Sequence, residues 1–261
     1  MSIRSSQHFI FNGERSDAYG ITNVNIDSGL SAEPFAAART IKEQIIRGRD
    51  KPYFFGLQKS PLEFSVTFAF EHAWDSALLR RAAKWLTGQG YYAPLQFSDN
   101  LNVIYYCLVV DSPELVHNGL QSGYVTLKFR CNGPYAYSPV YTSALLDYSA
   151  NAAAGADYTF ENLGDTECKP IVYIRKIGAG DDFKIINTSH GGQWCTVSGL
   201  LDNERLMIDF EQEIIETSIP LTYRYDNFEG HFLTMSQGAN RLQIFGKCKL
   251  QWKYQFYIMH Q

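Results

Sequence analysis

The chain has 261 residues, 45% hydrophobic, 15% aromatic and 19% charged, with a formal net charge of −4. That content can bury a core, and the acidic balance argues against a general binder of nucleic acid or anionic membrane, which needs a clustered basic surface. No apolar run approaches the roughly 18–20 residues that span a bilayer, and no signal-peptide core follows Met1, Ser2, Ile3 and Arg4, which points to synthesis in a cytosol.

In chain order, residues 8–11 read as a short strand ended by the turn dipeptide Asn12-Gly13. Residues 19–27 alternate through Tyr19, Ile21, Val24 and Ile26 with one slip and read as a second strand, followed by a loop over 28–39. Residues 40–49 carry Ile41, Ile45 and Ile46 before Gly48, and read as a strand in a protruding arm. Residues 62–71 alternate strictly, with Leu62, Phe64, Val66, Phe68 and Phe70 on one face and Glu63, Ser65, Thr67 and Glu71 on the other. The period then changes. Over 75–87, Leu78, Leu79, Ala82, Ala83, Trp85 and Leu86 share one side of a helix, opposite Arg80, Arg81, Lys84 and Thr87. Asp75 or Ser76 can cap its start, and Gly88 suits a left-handed C-terminal position. This strand and helix should bury each other in the core of an N-terminal α+β domain.

Residues 91–97 and 102–110 read as further strands. Residues 124–131 point Val125, Leu127, Phe129 and Cys131 inward and Thr126, Lys128 and Arg130 outward. Asn132-Gly133-Pro134 and Ser138-Pro139 break the ladder, so the expected domains are 1–135 and 136–261. The second contains a small-residue loop over 149–156, then strands expected at 158–161, 171–174, 183–186, 194–197, 206–209, 214–217, 221–225, 242–245 and 249–259. Short strands punctuated by Gly, Asn, Asp and Pro, without a helical pattern, imply a β-sandwich. The chain is therefore expected to be mainly β, an N-terminal β-sandwich with one helix and an arm, followed by a C-terminal β-sandwich.

Catalytic signals are weak. The five cysteines, Cys107, Cys131, Cys168, Cys195 and Cys248, form an odd, scattered set and read as reduced, packed thiols. His8, His72, His117, His190, His231 and His260 lack zinc-binding spacing. Gly178-Ala179-Gly180 reads as a hairpin turn rather than a dinucleotide loop, since it lacks a third glycine and a following helix. His190 near Cys195 could mimic a nucleophilic pair, but sequence neighbours on a turn and a strand do not set up that geometry. Asp209, Glu211, Glu213 and Glu216 could supply a glycosidase pair, though an acidic loop between strands is the simpler reading. Exposed Trp and Tyr on the sandwich could stack on sugars. No residue is assigned a catalytic, cofactor-binding or metal-binding role.

Several segments, taken together, resemble the distal tail protein (Dit) family of siphophages. They are Phe9-Ile10-Phe11-Asn12-Gly13 with Tyr19-Gly20-Ile21, the turn Gly48-Arg49-Asp50, the strand and Trp-containing helix of 62–86, and Phe129-Arg130-Cys131-Asn132-Gly133-Pro134-Tyr135-Ala136-Tyr137. Phe160-Glu161-Asn162-Leu163-Gly164-Asp165, Pro170-Ile171, Leu206-Met207-Ile208-Asp209 and Gly238-Ala239-Asn240-Arg241-Leu242 complete the set. The alanine-rich segment 28–47 and Glu167-Cys168-Lys169 depart from the pattern. The resemblance implies an N-terminal domain that closes into a hexameric ring and a galectin-like, carbohydrate-binding-module-like C-terminal sandwich outside it. It also implies a structural role in the virion tail tip, joining the tail tube to the hub. Implied partners are five further copies, the major tail tube protein, the hub or tail-associated lysin protein, a receptor-binding protein and a cell-surface saccharide. DNA would pass through the ring without sequence-specific binding, and neither membrane nor cofactor is implied. The alternatives are a soluble carbohydrate-binding β-sandwich protein and, behind it, a glycosidase.

Overall fold

The computed structural model describes residues 6–24, 34–118, 121–180 and 182–259. Of the segments expected to be strand or loop, 25–33 lies outside the described residues. The chain divides into two compact units, Met1–Tyr137 with Ile258–Gln261, and Ser138–Tyr257. It is mostly β, with one α-helix among the described residues.

The first unit comprises β1 (Phe9–Phe11), β2 (Glu14–Arg15), β3 (Ile21–Asn23), β4 (Arg39–Gln44), β5 (Tyr53–Lys59), β6 (Glu63–Phe70), α1 (Ser76–Thr87), β7 (Ala93–Phe97), β8 (Asn100–Val110), β9 (Leu115–His117), β10 (Gly123–Cys131) and β11 (Ala136–Tyr137). Its main sheet runs β2-β1-β7-β8-β10-β6-β3, while among the described residues β4 and β5 pair only with each other. The alternation of β6 is realised in space, because Leu62, Phe64, Val66, Phe68 and Phe70 are all buried. Thr67, expected outward, is buried too, and its hydroxyl is satisfied by Thr126 on β10 at 2.9 Å.

Helix α1 starts where expected. The Asp75 side chain accepts a hydrogen bond from the Leu78 amide at 2.6 Å, a standard cap. Trp85 anchors the helix: its ring stacks on Phe9 (5.7 Å) and Tyr19 (4.5 Å), and its indole N–H donates to the Phe11 carbonyl at 2.9 Å. The helix and the β6 face thus share one core, and Trp85 pins the helix to the chain's first strand as well. Ala83 is exposed. Gly88 is not left-handed, with φ −87°. Its amide still donates to the Lys84 carbonyl, and a Cβ there would lie 2.4 Å from that oxygen, so close approach explains the glycine. Tyr19, expected to start a strand, instead closes a 3-10 turn over Ser16–Tyr19 that ends at Gly20 (φ 61°).

The second unit comprises β12 (Tyr141–Thr142), β13 (Leu146–Tyr148), β14 (Ala156–Asn162), β15 (Ile171–Lys176), β16 (Phe183–Asn187), β17 (Gln193–Val197), β18 (Arg205–Asp209), β19 (Ile214–Thr217), β20 (Phe228–Gly230), β21 (Gly238–Phe245) and β22 (Cys248–Tyr254). The last strand, β23 (Tyr257–Ile258), ends outside this unit. One sheet runs β12-β22-β15-β18-β19 with β13 also on β22, and the other runs β14-β21-β16-β17-β20. Inward residues of both, including Val172, Ile174, Leu206, Leu250 and Trp252 against Phe160, Ile185, Val197 and Ile244, form one core. This is sheet-on-sheet packing.

Three local expectations change. Gly178-Ala179-Gly180 is not a hairpin turn, because β15 and β16 belong to different sheets; the glycines carry the crossing with φ 72° and 97°. Residues 221–225 are not a strand. Pro220 removes a ladder donor, Leu221 has φ 56° and is fully exposed, and Arg224 is the buried member of the run. The expected strand 249–259 breaks at Gln255 and Phe256, whose polar groups turn to Ser138. The Phe256 amide donates to the Ser138 hydroxyl (2.9 Å), and the Gln255 side chain donates to the Ser138 carbonyl (2.7 Å).

Candidate interaction surfaces

The β4–β5 ribbon is built from residues that the sequence gives no core to join. Its register runs from Arg39↔Lys59 to Gln44↔Tyr53, with a bulge at Lys42/Glu43 beside Gly56, whose φ of 133° suits glycine. Yet Ile41, Ile45, Ile46, Tyr53, Phe54, Phe55 and Leu57 are exposed, Ile45 at 76% and Phe54 at 65%. The Arg49 guanidinium lies over the Tyr53 ring at 4.3 Å. At the base, Phe35 is 96% exposed, and Lys59 meets the Tyr135 hydroxyl. A two-stranded ribbon is marginal in water alone, and apolar patches of this kind mark interaction sites. A second apolar surface in this unit is a groove of about 240 Å³ between α1 and the sheet, lined by Phe68, Phe70, Leu79, Leu86, Leu115 and Leu127.

In the second unit, the outer face of the β22-β15-β18-β19 layer holds a groove of about 500 Å³. Strand periodicity puts Lys249, Arg175 and Arg205 in one row across it, and Gln251, Tyr173, Met207 and Glu216 in the next. Lys249 pairs with Asp147 at 2.9 Å, and Arg175 donates to the Asn203 side-chain oxygen at 2.6 and 3.2 Å. The Asp147 carboxyl is held well below the usual range by hydrogen bonds from Ser149 and Lys249.

The residues singled out for chemistry are placed as follows. His190 bonds the Ser236 hydroxyl, while Cys195 is fully buried with its thiol pushed up to about 12 by burial, so the two do not form a nucleophilic pair. Asp209 accepts from the Glu211 and Gln212 amides at 2.9 Å each, fixing the β18–β19 turn. Glu211 bonds the Tyr257 hydroxyl, Glu213 occupies a turn position with φ 58°, and Glu216 lines the outer groove. All five cysteines are buried and free. Of the two sandwich tryptophans, Trp252 is buried and Trp194 is half-buried under Lys184 (5.1 Å), leaving Tyr173 as the aromatic in the groove. Among the described residues no group of three His, Cys, Asp or Glu could hold a metal ion, and no helix is long and apolar enough to cross a membrane.

Sequence reasoning missed the buried ion pair of the second unit. Arg224 donates twice to Glu204 (2.8 and 2.7 Å), which also accepts from the Leu201 amide (2.8 Å) and the Thr217 hydroxyl (2.5 Å). Burial pushes the Glu204 carboxyl up, but the hydrogen bonds from Arg224, Thr217 and Leu201 outweigh it, and its pKa is lowered. The only signal was an Arg inside an apparent apolar alternation.

A family model described as a phage tail protein N-terminal domain matches residues 4–133, and one described as a phage tail C-terminal domain matches residues 140–254. The SPbeta prophage-derived uncharacterized protein YomH of Bacillus subtilis (strain 168) is 32% identical over 254 residues, covering 97% of this chain and 98% of that one. In fold, the chain is similar to the crystal structure of SPP1 Dit (gp 19.1), described as a paradigm of the hub adsorption apparatus in phages infecting Gram-positive hosts. That match has a TM-score of 0.68 and 15% identity, covering 95% of this chain and 98% of that one. A chain of the phage p2 baseplate in its activated conformation with Sr matches with a TM-score of 0.51 and 6% identity, covering 95% and 97%. With both halves matched by phage tail models and a relative aligned along almost its whole length, the chain belongs to the phage tail protein family.

Proposed function

We propose that the protein is a structural ring of a phage tail tip. Six copies close head-to-tail through the first unit, and the ring joins the tail tube to the tail-tip hub and anchors adhesion proteins. The carrying observation is the β4–β5 ribbon, which among the described residues leaves large apolar side chains and two unpaired strand edges in water. Cyclic, head-to-tail closure needs two different patches per subunit. The ribbon supplies one, and the apolar groove beside α1 offers a surface of matching chemistry for the other. Neighbours in the tail are the major tube protein, the hub or tail-associated lysin protein and a receptor-binding protein. The role is structural rather than catalytic. The protein is made in the host cytoplasm and resides in the virion tail tip.

A net charge of −4 suits a ring through which DNA slides, because phosphates gain nothing from an acidic wall. A lumen lined with Lys and Arg would contradict that part. The test is the solution mass by light scattering. Six chains of 29.7 kDa give a species of about 178 kDa as the expected result. A chain that stays monomeric even with tube and hub proteins present overturns the ring.

A further inference from the structure

We propose that the outer groove of the second unit binds an acidic saccharide, a hydroxylated sugar ring carrying a carboxylate or phosphate. The argument starts from charge. Lys249, Arg175 and Arg205 lie directly opposite one another on three adjacent strands. Like charges in such positions destabilise a sheet. One of the three, Lys249, has a carboxylate partner; Arg175 is held only by a neutral amide oxygen, and Arg205 makes no side-chain hydrogen bond or ion pair among the described residues. A row of cations with one counter-charge is a standing cost that an anionic ligand removes, and arginine's fixed fork suits carboxylate or phosphate.

The next row supplies what a sugar needs besides charge. Tyr173 is 40% exposed and offers a flat ring beside Met207, for the apolar face of a pyranose. Gln251, whose side-chain amide donates to the Ser143 carbonyl at 2.9 Å, and Glu216 lie on either side of that pair, and their side-chain oxygens can accept from hydroxyls. The groove volume of about 500 Å³ falls within the range of small-ligand sites. Aromatic rings and arginines also suit single-stranded nucleic acid. Here Glu216 stands in the groove and the chain is net acidic, both of which disfavour a dense phosphate backbone.

The test titrates the full chain, by calorimetry and by amide NMR shifts, with hexagalacturonate, a mannose-6-phosphate-bearing oligosaccharide, neutral maltohexaose and an oligothymidylate. The expected result is saturable binding of at least one acidic oligosaccharide, about tenfold or more tighter than maltohexaose, weakening as salt is raised. The arm that binds identifies the anion as carboxylate or phosphate. The double variant Arg175→Gln/Arg205→Gln and the single variant Tyr173→Ala should each lose about tenfold in affinity, the double variant with a melting temperature no lower than the parent's because it relieves the like-charge row, while Lys253→Gln, outside the groove, should bind normally. The proposal is overturned if both acidic oligosaccharides bind no better than maltohexaose, if oligothymidylate binds as tightly as they do, or if both groove variants bind like the parent. The readout needs no ring, so its failure leaves the assembly reading standing and the reverse also holds.

Discussion

Replacing Arg224 by Met isolates the buried charge of the second unit. In the parent, the Glu204 side chain is fully buried and Arg224 is nine-tenths buried, joined by two short hydrogen bonds. Removing the cation leaves a carboxylate in the interior with only the Thr217 hydroxyl and the Leu201 amide. Breaking one side of such a pair costs about 3–5 kcal/mol, whereas replacing both sides with apolar residues of similar volume is often near neutral. The double variant Glu204→Met/Arg224→Met should therefore lose much less than the sum of the two single variants. The effect should also depend on pH. Glu204's folded pKa lies below its unfolded value, so in the parent its contribution is present above the ordinary carboxylate range and is lost as pH falls through the folded pKa. In Arg224→Met the lone buried carboxyl is raised instead. Its penalty is full at neutral pH and is relieved as pH falls, so the gap between variant and parent narrows in acid. Urea unfolding followed by hydrogen exchange in peptides of residues 199–227 localises the loss to this unit. A single-variant loss under about 1 kcal/mol, additive behaviour, or a gap that widens in acid would refute the reasoning.

Other outcomes are equally definite. Trp85→Ala should cost the first unit about 3–5 kcal/mol in denaturant unfolding, since it removes the ring stacked on Phe9 and Tyr19 and leaves the Phe11 carbonyl without its indole donor. Gly230→Ala should destabilise the second unit by at least about 2 kcal/mol, read as a lower melting temperature, because the new Cβ would sit 2.3 Å from the Trp194 carbonyl at φ +100°. In the native state none of the five cysteines should react with an aromatic disulfide reagent at pH 8, since burial pushes Cys131, Cys168, Cys195 and Cys248 up to about 12 and Cys107 well above its ordinary value; all should react in denaturant. Phe54→Ser combined with Ile45→Ser should leave the melting temperature within a few degrees of the parent, as both side chains are exposed, yet lower the assembled mass.

Elements whose side chains obey one period were legible in the sequence. The β6 alternation, the α1 stripe except Ala83, with its Asp75 cap, and the inward set of β10 are found in or against the first core. What was not legible depends on partners far along the chain. Nothing near Trp85 announces that its ring will stack on Phe9 and Tyr19. The segment 221–225 mimics a strand because Leu221, Tyr223 and Tyr225 alternate, but those side chains are exposed and the buried one is Arg224, held by Glu204. The quoted turn segments owe their form to buried amides. Asn240 donates to the Ser236 and Gly238 carbonyls and accepts from the Ser236 amide, while Asn162 donates to the Thr166 and Met235 carbonyls. The outer groove escaped notice for a related reason: Arg175, Arg205 and Lys249 are far apart in sequence, and only the β18-β15-β22 register lines them up.

Electron cryomicroscopy of the tail tip, at a resolution that shows side chains, tests the central claim most directly. The account predicts six copies in a closed ring, with Ile45, Phe54 and Phe55 of each arm buried against the neighbouring copy. Arms extending into solvent from a ring held by other surfaces, or a chain placed outside any ring, would contradict it.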